Sequence, residues 1–163
     1  MKVQEAIAVL DRVASEAEDG LPEELFLFVS RVTPLINVDL LIQDGKKRTL
    51  LTWRDDGRFG RGWHIPGGVI RYKERAADRI QRCSQEEIGA SVDHEPAPIV
   101  IIETTEDQRD RAHFISLLYR CTLKGEPDPK RRAGANPQVG EWQWHSGCPE
   151  DILPVQRVYQ EYF

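Results

Sequence analysis

The feature that most constrains this chain is the pattern G-x5-E-x7-R-C-S-Q-E-E-x-G, which begins at Gly68 and ends at Gly89. Gly67-Gly68 follows Pro66 at the end of a predicted strand, and glycine lets a ligand approach the backbone closely. Residues 76–88 are predicted to form a helix on which positions 83, 86 and 87 share one face, because they are three or four residues apart. The pattern therefore predicts carboxylates opposite a glycine backbone, which suits a hard divalent cation and a diphosphate.

Short strands and few helices are predicted around this pattern. An amphipathic helix is predicted over residues 3–18 and a second, shorter one from Pro22 to about Val29. The predicted strands are Ile36–Ile42, Arg48–Trp53, Trp63–Pro66, Val69–Tyr72, Ile99–Glu103, His113–Leu123 and Glu141–Trp144, and a closing helix is predicted over Val155–Tyr162. Strands on both sides of a central helix, followed by a terminal helix, indicate an α+β or α/β sandwich with a mixed sheet.

Composition excludes several classes of function. A length of 163 residues fits one domain with a sizeable core. The formal charge of −5 argues against a nucleic-acid partner bound through its phosphates, although arginines can still gather around a small phosphorylated ligand. The three cysteines have no CxxC spacing, which favours a reducing cytoplasm over a disulfide framework. No apolar run approaches the roughly 20 residues of a membrane span, so no membrane association is expected.

The pattern resembles the box of the Nudix hydrolase family, usually written G-x5-E-x7-R-E-U-x-E-E-x-G-U with U a bulky aliphatic residue. The box positions that match are Gly68, Glu74, Arg82, Glu86, Glu87 and Gly89. Cys83 departs at the first glutamate of the central run, where a soft thiol would be a poor ligand for Mg²⁺. The resemblance implies a Nudix α/β/α sandwich that binds Mg²⁺, or Mn²⁺, and hydrolyses a nucleoside diphosphate linked to another group.

Within that family the chain is most similar to the GDP-mannose mannosyl hydrolase branch, which also lacks this glutamate. The resemblance implies metal ligation by the Gly67 carbonyl, by Glu87 and by Gln138, and Glu86 is the further carboxylate that we expect at the metal. That branch releases nucleoside diphosphate by attack at the anomeric carbon of the sugar, with inversion.

Residues outside the box extend this resemblance to the substrate. The segment from Thr33 to Asp39 resembles the branch's entry into a strand, which ends in a functional aspartate. Arg54 resembles its substrate-binding arginine. We expect Arg54 and Arg71 to grip the diphosphate and Asp39 to lie beside the sugar. Arg82, the arginine of the box, completes the expected catalytic set together with the base considered next.

The general base is the weakest part of the resemblance. The branch has a catalytic histidine directly after its metal-binding glutamine, and here Val139 occupies that position. Glu141 is the nearest candidate, and His113 and His145 are alternatives. The branch also has an arginine directly after the double glycine, where this chain has Val69, so Arg71 is expected to substitute for it.

Three functions stay open on the sequence alone. The first is a metal-dependent hydrolase of nucleotide sugars, GDP-mannose-like, that releases nucleoside diphosphate and free sugar. The second is an ordinary Nudix hydrolase that attacks phosphorus in a nucleoside diphosphate derivative. The third is a nucleotide-sugar binding module that has lost catalysis, as Cys83 and Val139 suggest.

The domain organisation adds a prediction about assembly. We treat residues 1–163 as a single Nudix-like domain whose first 32 residues form added helices. These helices are apolar and have nothing local to cover them, so we expect them to pack against a second subunit in a homodimer.

Overall fold

A computed structural model of the chain describes residues 2–15, 20–57, 59–105 and 111–163. The α-helices are α1 (Val3–Ser15), α2 (Glu23–Val32) and α3 (Ala76–Ile88), and two 3-10 helices cover Pro129–Arg131 and Pro154–Tyr162. The strands are β1 (Leu35–Ile42), β2 (Thr49–Asp56), β3 (Gly60–His64), β4 (Gly67–Val69), β5 (Val92–His94), β6 (Val100–Thr105), β7 (His113–Leu123) and β8 (Trp142–His145). The helix Pro154–Tyr162 is called the closing helix below.

The chain divides into two compact units. One comprises α1, α2 and the adjoining ends of β6 and β7, and the other contains the remaining strands, α3 and both 3-10 helices. In the described residues, none of the helices combines the length and the apolar content that crossing a bilayer requires.

Two sheets organise the strands. The larger has the order β4-β1-β7-β5, with β6 also paired to β7, and the smaller has the order β3-β2-β8. β1 and β4 run antiparallel, so that Asp39 lies opposite Gly67 and Val38 lies opposite Gly68. β2 and β3 form a hairpin in which Thr52 faces His64.

Helices cover both faces of the larger unit because side chains alternate between the faces of each strand. Val38, Leu40 and Ile42 of β1 join an apolar cluster with Ile80 and Cys83 of α3. Leu41 lies on the opposite face of β1 and joins a second cluster. That cluster also contains Trp53, Trp63, Leu118 and, from the closing helix, Tyr159. This layering confirms the predicted α+β sandwich.

Several boundaries differ from the prediction, each for a structural reason. β2 continues to Asp56 and β3 begins at Gly60, because the two strands stay paired in register as far as Asp56 and Gly60. The opposed charges of Asp55 and Arg61 face each other across this extension. The predicted strand at 69–72 lies instead at 67–69, where the double glycine pairs with β1. The closing helix is 3-10, not α, and has proline at its start. α1 is described to Ser15, and the rest of the helix predicted over 3–18 lies outside the described residues.

Candidate active site

Glu87 lies in the last turn of α3, where its carboxylate receives three protein donors. Oε1 accepts a hydrogen bond from the Gly67 N–H at 2.8 Å, and Oε2 accepts one from the Thr52 hydroxyl at 2.8 Å. His64 Nε2 lies 3.2 Å from the same Oε2, and the Glu87 side chain is 22% exposed. Burial would raise the pKa of Glu87, but the bonds from His64, Gly67 and Thr52 outweigh it and hold the pKa below its usual value. Glu87 is thus an anchored carboxylate that keeps its negative charge.

Gly67 presents its carbonyl at the free edge of β4. Leu40 donates to the Pro66 carbonyl and Ile70 donates to that of Ile36, so these are the hydrogen-bonded pairs of the β1–β4 ladder. Asp39 and Gly67 form the alternating pair, in which both backbone groups point away from the partner strand. The Gly67 N–H indeed points at Glu87. Its carbonyl oxygen therefore faces outward on the side of the sheet where the Glu87 carboxylate lies.

Asp39 explains why position 67 is glycine. A methyl group on Gly67 would lie 2.5 Å from Asp39 Oδ1 and 2.5 Å from the Val38 carbonyl oxygen. The Asp39 carboxyl is 5% exposed, and its Oδ2 accepts a hydrogen bond from the Tyr159 hydroxyl at 2.5 Å. Burial raises the pKa of Asp39 to about 6, although hydrogen bonds from Tyr159 and Ser116 oppose the rise. Asp39 thus contacts the back of Gly67 and is shielded from solvent.

Glu74 at the other end of the box is neutralised by arginines. Its Oε2 accepts from Arg79 Nε at 2.8 Å and from the Arg71 N–H at 2.9 Å. Arg82 Nε lies 3.8 Å from Glu74 Oε1. Burial would raise the pKa of Glu74, but Arg79, the Arg71 backbone and Arg82 together hold it below the usual value. This cluster fixes the loop that leads into α3.

The thiol of Cys83 is a core group. It is buried in the apolar cluster under α3, and a methyl group on Gly68 would lie 3.0 Å from its sulfur. Burial raises the pKa of Cys83 to about 12, assisted by the nearby charge of Glu87 and opposed by Arg79. The sulfur is therefore protonated at neutral pH in the metal-free chain.

The remaining predicted residues are distributed around this centre. The side chain of Glu86 is exposed, and its backbone carbonyl accepts from Arg131 at 2.6 Å. Arg54 pairs with Asp56 at 3.4 Å. The Arg71 side chain is half-buried in the loop between β4 and α3.

The segment before β8 contains two further predicted site residues, Gln138 and Glu141. Gln138 is exposed, and its side-chain amide donates to the Asn136 carbonyl at 3.1 Å, within its own loop. Glu141 Oε2 accepts from the Gln138 N–H at 2.9 Å. The Glu141 backbone joins this turn to Trp53, the residue before Arg54.

The two alternative histidines have other partners. His113 bonds Glu103 at 2.9 Å. His145 packs against the Trp63 ring with a centroid distance of 4.6 Å, and burial lowers its pKa. Among the described residues, neither histidine is hydrogen-bonded to Glu87.

Three residues of the centre were missed from the sequence. Thr52 carries a detectable signal, because it is the polar residue within the apolar run from Leu50 to Trp53. Hairpin pairing would then have placed His64 beside it. Tyr159 has no local signal, since it meets Asp39 from 120 positions along the chain.

A divalent cation fits the oxygen donors at this centre. No three His, Cys, Asp or Glu side chains gather to hold an ion in the described part of the chain, so the site is no closed protein cage. A carboxylate has about four lone-pair positions, of which the three protein donors to Glu87 use three. Mg²⁺ is commonly bound through one or two carboxylates plus substrate phosphates and water. Glu87 and the outward Gly67 carbonyl match that mode of binding.

Comparison with known proteins matches most of the chain to one family. The family model described as NUDIX domain matches residues 33–156. A relative from Haloferax volcanii, the low-salt glycan biosynthesis protein Agl8, is 25% identical over 114 residues, covering 68% of this chain and 72% of that protein.

Solved structures share the fold. A MutT NUDIX hydrolase from Burkholderia pseudomallei has a TM-score of 0.61 at 20% identity and covers 80% of this chain and 98% of its own. A UDP-X diphosphatase has a TM-score of 0.58 at 18% identity, covering 98% of this chain and 87% of its own. The second match extends over the N-terminal helices as well as the sandwich.

Proposed function

Because the chain belongs to the NUDIX family, we propose that it is a metal-dependent hydrolase of nucleoside diphosphate sugars, GDP-mannose-like, which releases nucleoside diphosphate and free sugar. The names of two similar proteins support a sugar-nucleotide substrate: one is a glycan biosynthesis protein and the other a UDP-X diphosphatase.

The observation that carries this proposal is the single anchored carboxylate beside an outward carbonyl. Glu87 and Gly67 would hold Mg²⁺ or Mn²⁺, with Glu86 and Gln138 as further ligands once substrate is bound. The bound cation would supply positive charge to the departing diphosphate. Attack at the anomeric carbon needs the metal at the leaving group alone, so it requires fewer carboxylates than activating a metal-bound water at phosphorus. The protonated thiol of Cys83 is compatible with that smaller demand.

Each of the following residues would have one role in the displacement of the diphosphate from the sugar. Arg54 and Arg71 would hold phosphate oxygens, as guanidinium groups do, and Arg82 would add positive charge from the exposed face of α3. Glu141 would accept the proton of the attacking water. The water oxygen bonds to the anomeric carbon, and the carbon–oxygen bond to the diphosphate breaks. Asp39 is buried behind Gly67, so it would act on the peptide backbone of the site and not beside the sugar, where the sequence led us to expect it.

The deciding experiment identifies both products. The chain is incubated with a panel of nucleotide sugars, in Mg²⁺ or Mn²⁺, and the products are separated and quantified. Free reducing sugar with nucleoside diphosphate is the expected result. Cleavage of nucleotide without any reducing sugar would overturn the proposal of carbon attack.

Attack at phosphorus is the second candidate, and the exposed carboxylate of Glu86 next to Glu87 favours it. Two adjacent carboxylates can bind more metal ions than a single carboxylate can. Sugar phosphate with nucleoside monophosphate would be its signature in the same product assay. Running the reaction in ¹⁸O-labelled water separates the two directly, because the label enters either the sugar or a phosphate.

A binding module without catalysis is the third candidate, and it is favoured by the exposed Val139 where a histidine would serve as base. Calorimetric binding of GDP-mannose with no turnover in any divalent metal would support it. Loss of a measurable hydrolysis in Glu87→Gln would exclude it.

The N-terminal helices support a homodimer in the same proposal. None of the residues of α1 is buried, and Val3, Ile7 and Leu10 form an exposed apolar stripe on it. A second copy of the chain would cover this stripe. Sedimentation equilibrium that gives a monomer mass at micromolar concentration would refute this assembly.

A further inference from the structure

The closing helix is hydrogen-bonded to β1, to the segment between β3 and β4, and to the residue that follows β1. Side chains three positions apart lie on one side of a 3-10 helix, which here aligns Gln156, Tyr159 and Tyr162. The Tyr159 hydroxyl donates to Asp39, and the Ile65 N–H donates to Gln156 Oε1 at 3.0 Å. The backbone carbonyl of Tyr162 accepts from Gln43 Nε2 at 3.0 Å.

Two of these bonds act on the immediate surroundings of Gly67. Asp39 is the cross-strand partner of Gly67, and its carboxylate would overlap any side chain placed there. Ile65 precedes Gly67 by two residues. Pro66, between them, has no N–H to donate, so the Ile65 N–H is the donor that the closing helix can bind here. The closing helix therefore restrains the Gly67 peptide both laterally, through Asp39, and along the chain, through Ile65.

The third bond has a different target. Gln43 lies beyond the end of β1, and its side chain also accepts from Arg120 at 3.0 Å. This bond uses the main chain of Tyr162, so the hydroxyl of Tyr162 takes no part in it. Tyr162 thus provides a matched control for Tyr159 on the same face of the same helix.

We propose that Tyr159 and Gln156 are positioning residues, which orient the Gly67 carbonyl toward the divalent cation through Asp39 and Ile65. The inference rests on the proposed function to the extent that Gly67 and Glu87 form the metal site. It assigns to the closing helix a part in metal binding that the box does not contain.

The hydroxyl of Tyr159 can be separated from its ring. The ring fills the apolar cluster on the face opposite α3 and is 2% exposed, whereas the hydroxyl alone meets Asp39. Tyr159→Phe keeps the ring, and Ser116 remains as a hydrogen-bond partner of Asp39. The Asp39 carboxyl then keeps only Ser116 of these two hydrogen-bond partners and can turn more easily, which loosens its packing against the Gly67 peptide.

The test measures Mn²⁺ binding directly, with GDP present as a non-hydrolysed partner. Free Mn²⁺ is followed by electron paramagnetic resonance in wild type, Tyr159→Phe, Gln156→Met and Tyr162→Phe. Outer partners of metal ligands typically change affinity by about 10–100-fold, so we expect a Kd at least about 10-fold weaker for Tyr159→Phe and Gln156→Met. Tyr162→Phe should match wild type.

Each outcome decides. Wild-type affinity in Tyr159→Phe, or an equal loss in Tyr162→Phe, overturns the proposal. Guanidinium unfolding and near-UV circular dichroism establish that each variant is folded, and if Tyr159→Phe does not fold, Gln156→Met decides by the same criterion. Failure of wild type to bind Mn²⁺ with GDP also overturns it. Specific Mn²⁺ binding without hydrolysis of any nucleotide sugar would overturn the proposed reaction and leave the positioning role standing.

Discussion

Glu74 and Glu87 belong to one box, yet they have opposite surroundings. Both accept a backbone N–H, from Arg71 and from Gly67 respectively, and the pKa of each is held low. Glu74 is 9% exposed and faces two guanidinium groups. Glu87 is 22% exposed and faces a hydroxyl, a peptide and an imidazole.

This difference indicates that Glu74 has a structural role and that Glu87 is the glutamate available to a metal ion. Permanent cations already satisfy the charge of Glu74, so it has little attraction left for a metal ion. The donors to Glu87 fix its geometry without supplying a guanidinium or ammonium group. A carboxylate that is held in place but not paired with such a cation is well suited to bind a hard divalent ion.

The largest effect is expected when Glu74 loses its charge. Glu74→Gln leaves the buried guanidinium of Arg79 without its partner, and breaking a buried ion pair costs about 3–5 kcal/mol. Guanidinium unfolding should show a loss of that size, while the folded fraction keeps its affinity for Mn²⁺. Reduced metal binding with unchanged unfolding would reverse the roles of the two glutamates.

Glu87→Gln should produce the opposite separation. We expect kcat/KM in Mg²⁺ to fall by about a hundredfold or more, roughly 3 kcal/mol, because a ligand should matter at least as much as its outer partners. The free energy of unfolding should change by only about 1 kcal/mol, since the amide oxygen still accepts from Gly67. Mg²⁺ with GDP should raise the melting temperature of wild type and not of this variant. An unaltered kcat/KM would remove Glu87 from the site.

The pH dependence of stability sharpens the comparison, because Asp39 has a raised pKa where both glutamates have lowered ones. The folded state retains the proton of Asp39 up to about pH 6, whereas the unfolded state releases it near 3.8. Stability from this group therefore falls as pH rises between these values. Relative to Asp39→Asn, wild type should lose roughly 2 kcal/mol between pH 4 and pH 7.

Urea unfolding of both proteins across this range measures the difference, in which the contributions of Glu74 and Glu87 cancel. Those two groups stabilise above their unfolded pKa values, and their contribution is lost as the pH falls through the folded ones. Parallel stability curves for wild type and Asp39→Asn would show that Asp39 is ordinarily acidic.

Cys83→Ser should have the smallest effect. The thiol is protonated and buried, so replacing it should leave kcat/KM in Mg²⁺ within about twofold and cost about 1 kcal/mol for a hydroxyl in apolar surroundings. Thermal unfolding and steady-state kinetics measure both quantities. A large gain of activity in Cd²⁺ that disappears with the serine would instead identify the sulfur as a ligand.

The sequence predicted the elements whose signals are local. The helix over 76–88 agrees at both ends with the structure, because apolar positions at helical spacing precede a glycine that adopts the left-handed conformation after its last turn. The strands around the box were also recognised, with shifts of one to three residues. The resemblance had placed Gly67 and Glu87 at one site, and the two residues are hydrogen-bonded to each other in the structure.

The rest depends on contacts between distant segments. Burial of Asp39 cannot be read from its neighbours, since Tyr159 and Ser116 come from the closing helix and from β7. The tie from Gln156 to Ile65 spans 91 positions. The boundaries of β3 and β4 depend on pairing register, which local propensity does not determine.

The bond between Tyr159 and Asp39 also constrains the order of folding. A ribosome exposes β1 and β4 long before residue 159, so until that residue emerges the Asp39 carboxylate has no hydroxyl from the closing helix. Leaving it solvated is favourable at that stage, because burial without that donor would carry a desolvation penalty. Tight closure of β1 over Gly67 is therefore a late event, and contacts of such high sequence separation form slowly. In the growing chain the proposed metal site would therefore become oriented only after residue 159 has left the ribosome, and a product interrupted before that residue would bind the cation poorly.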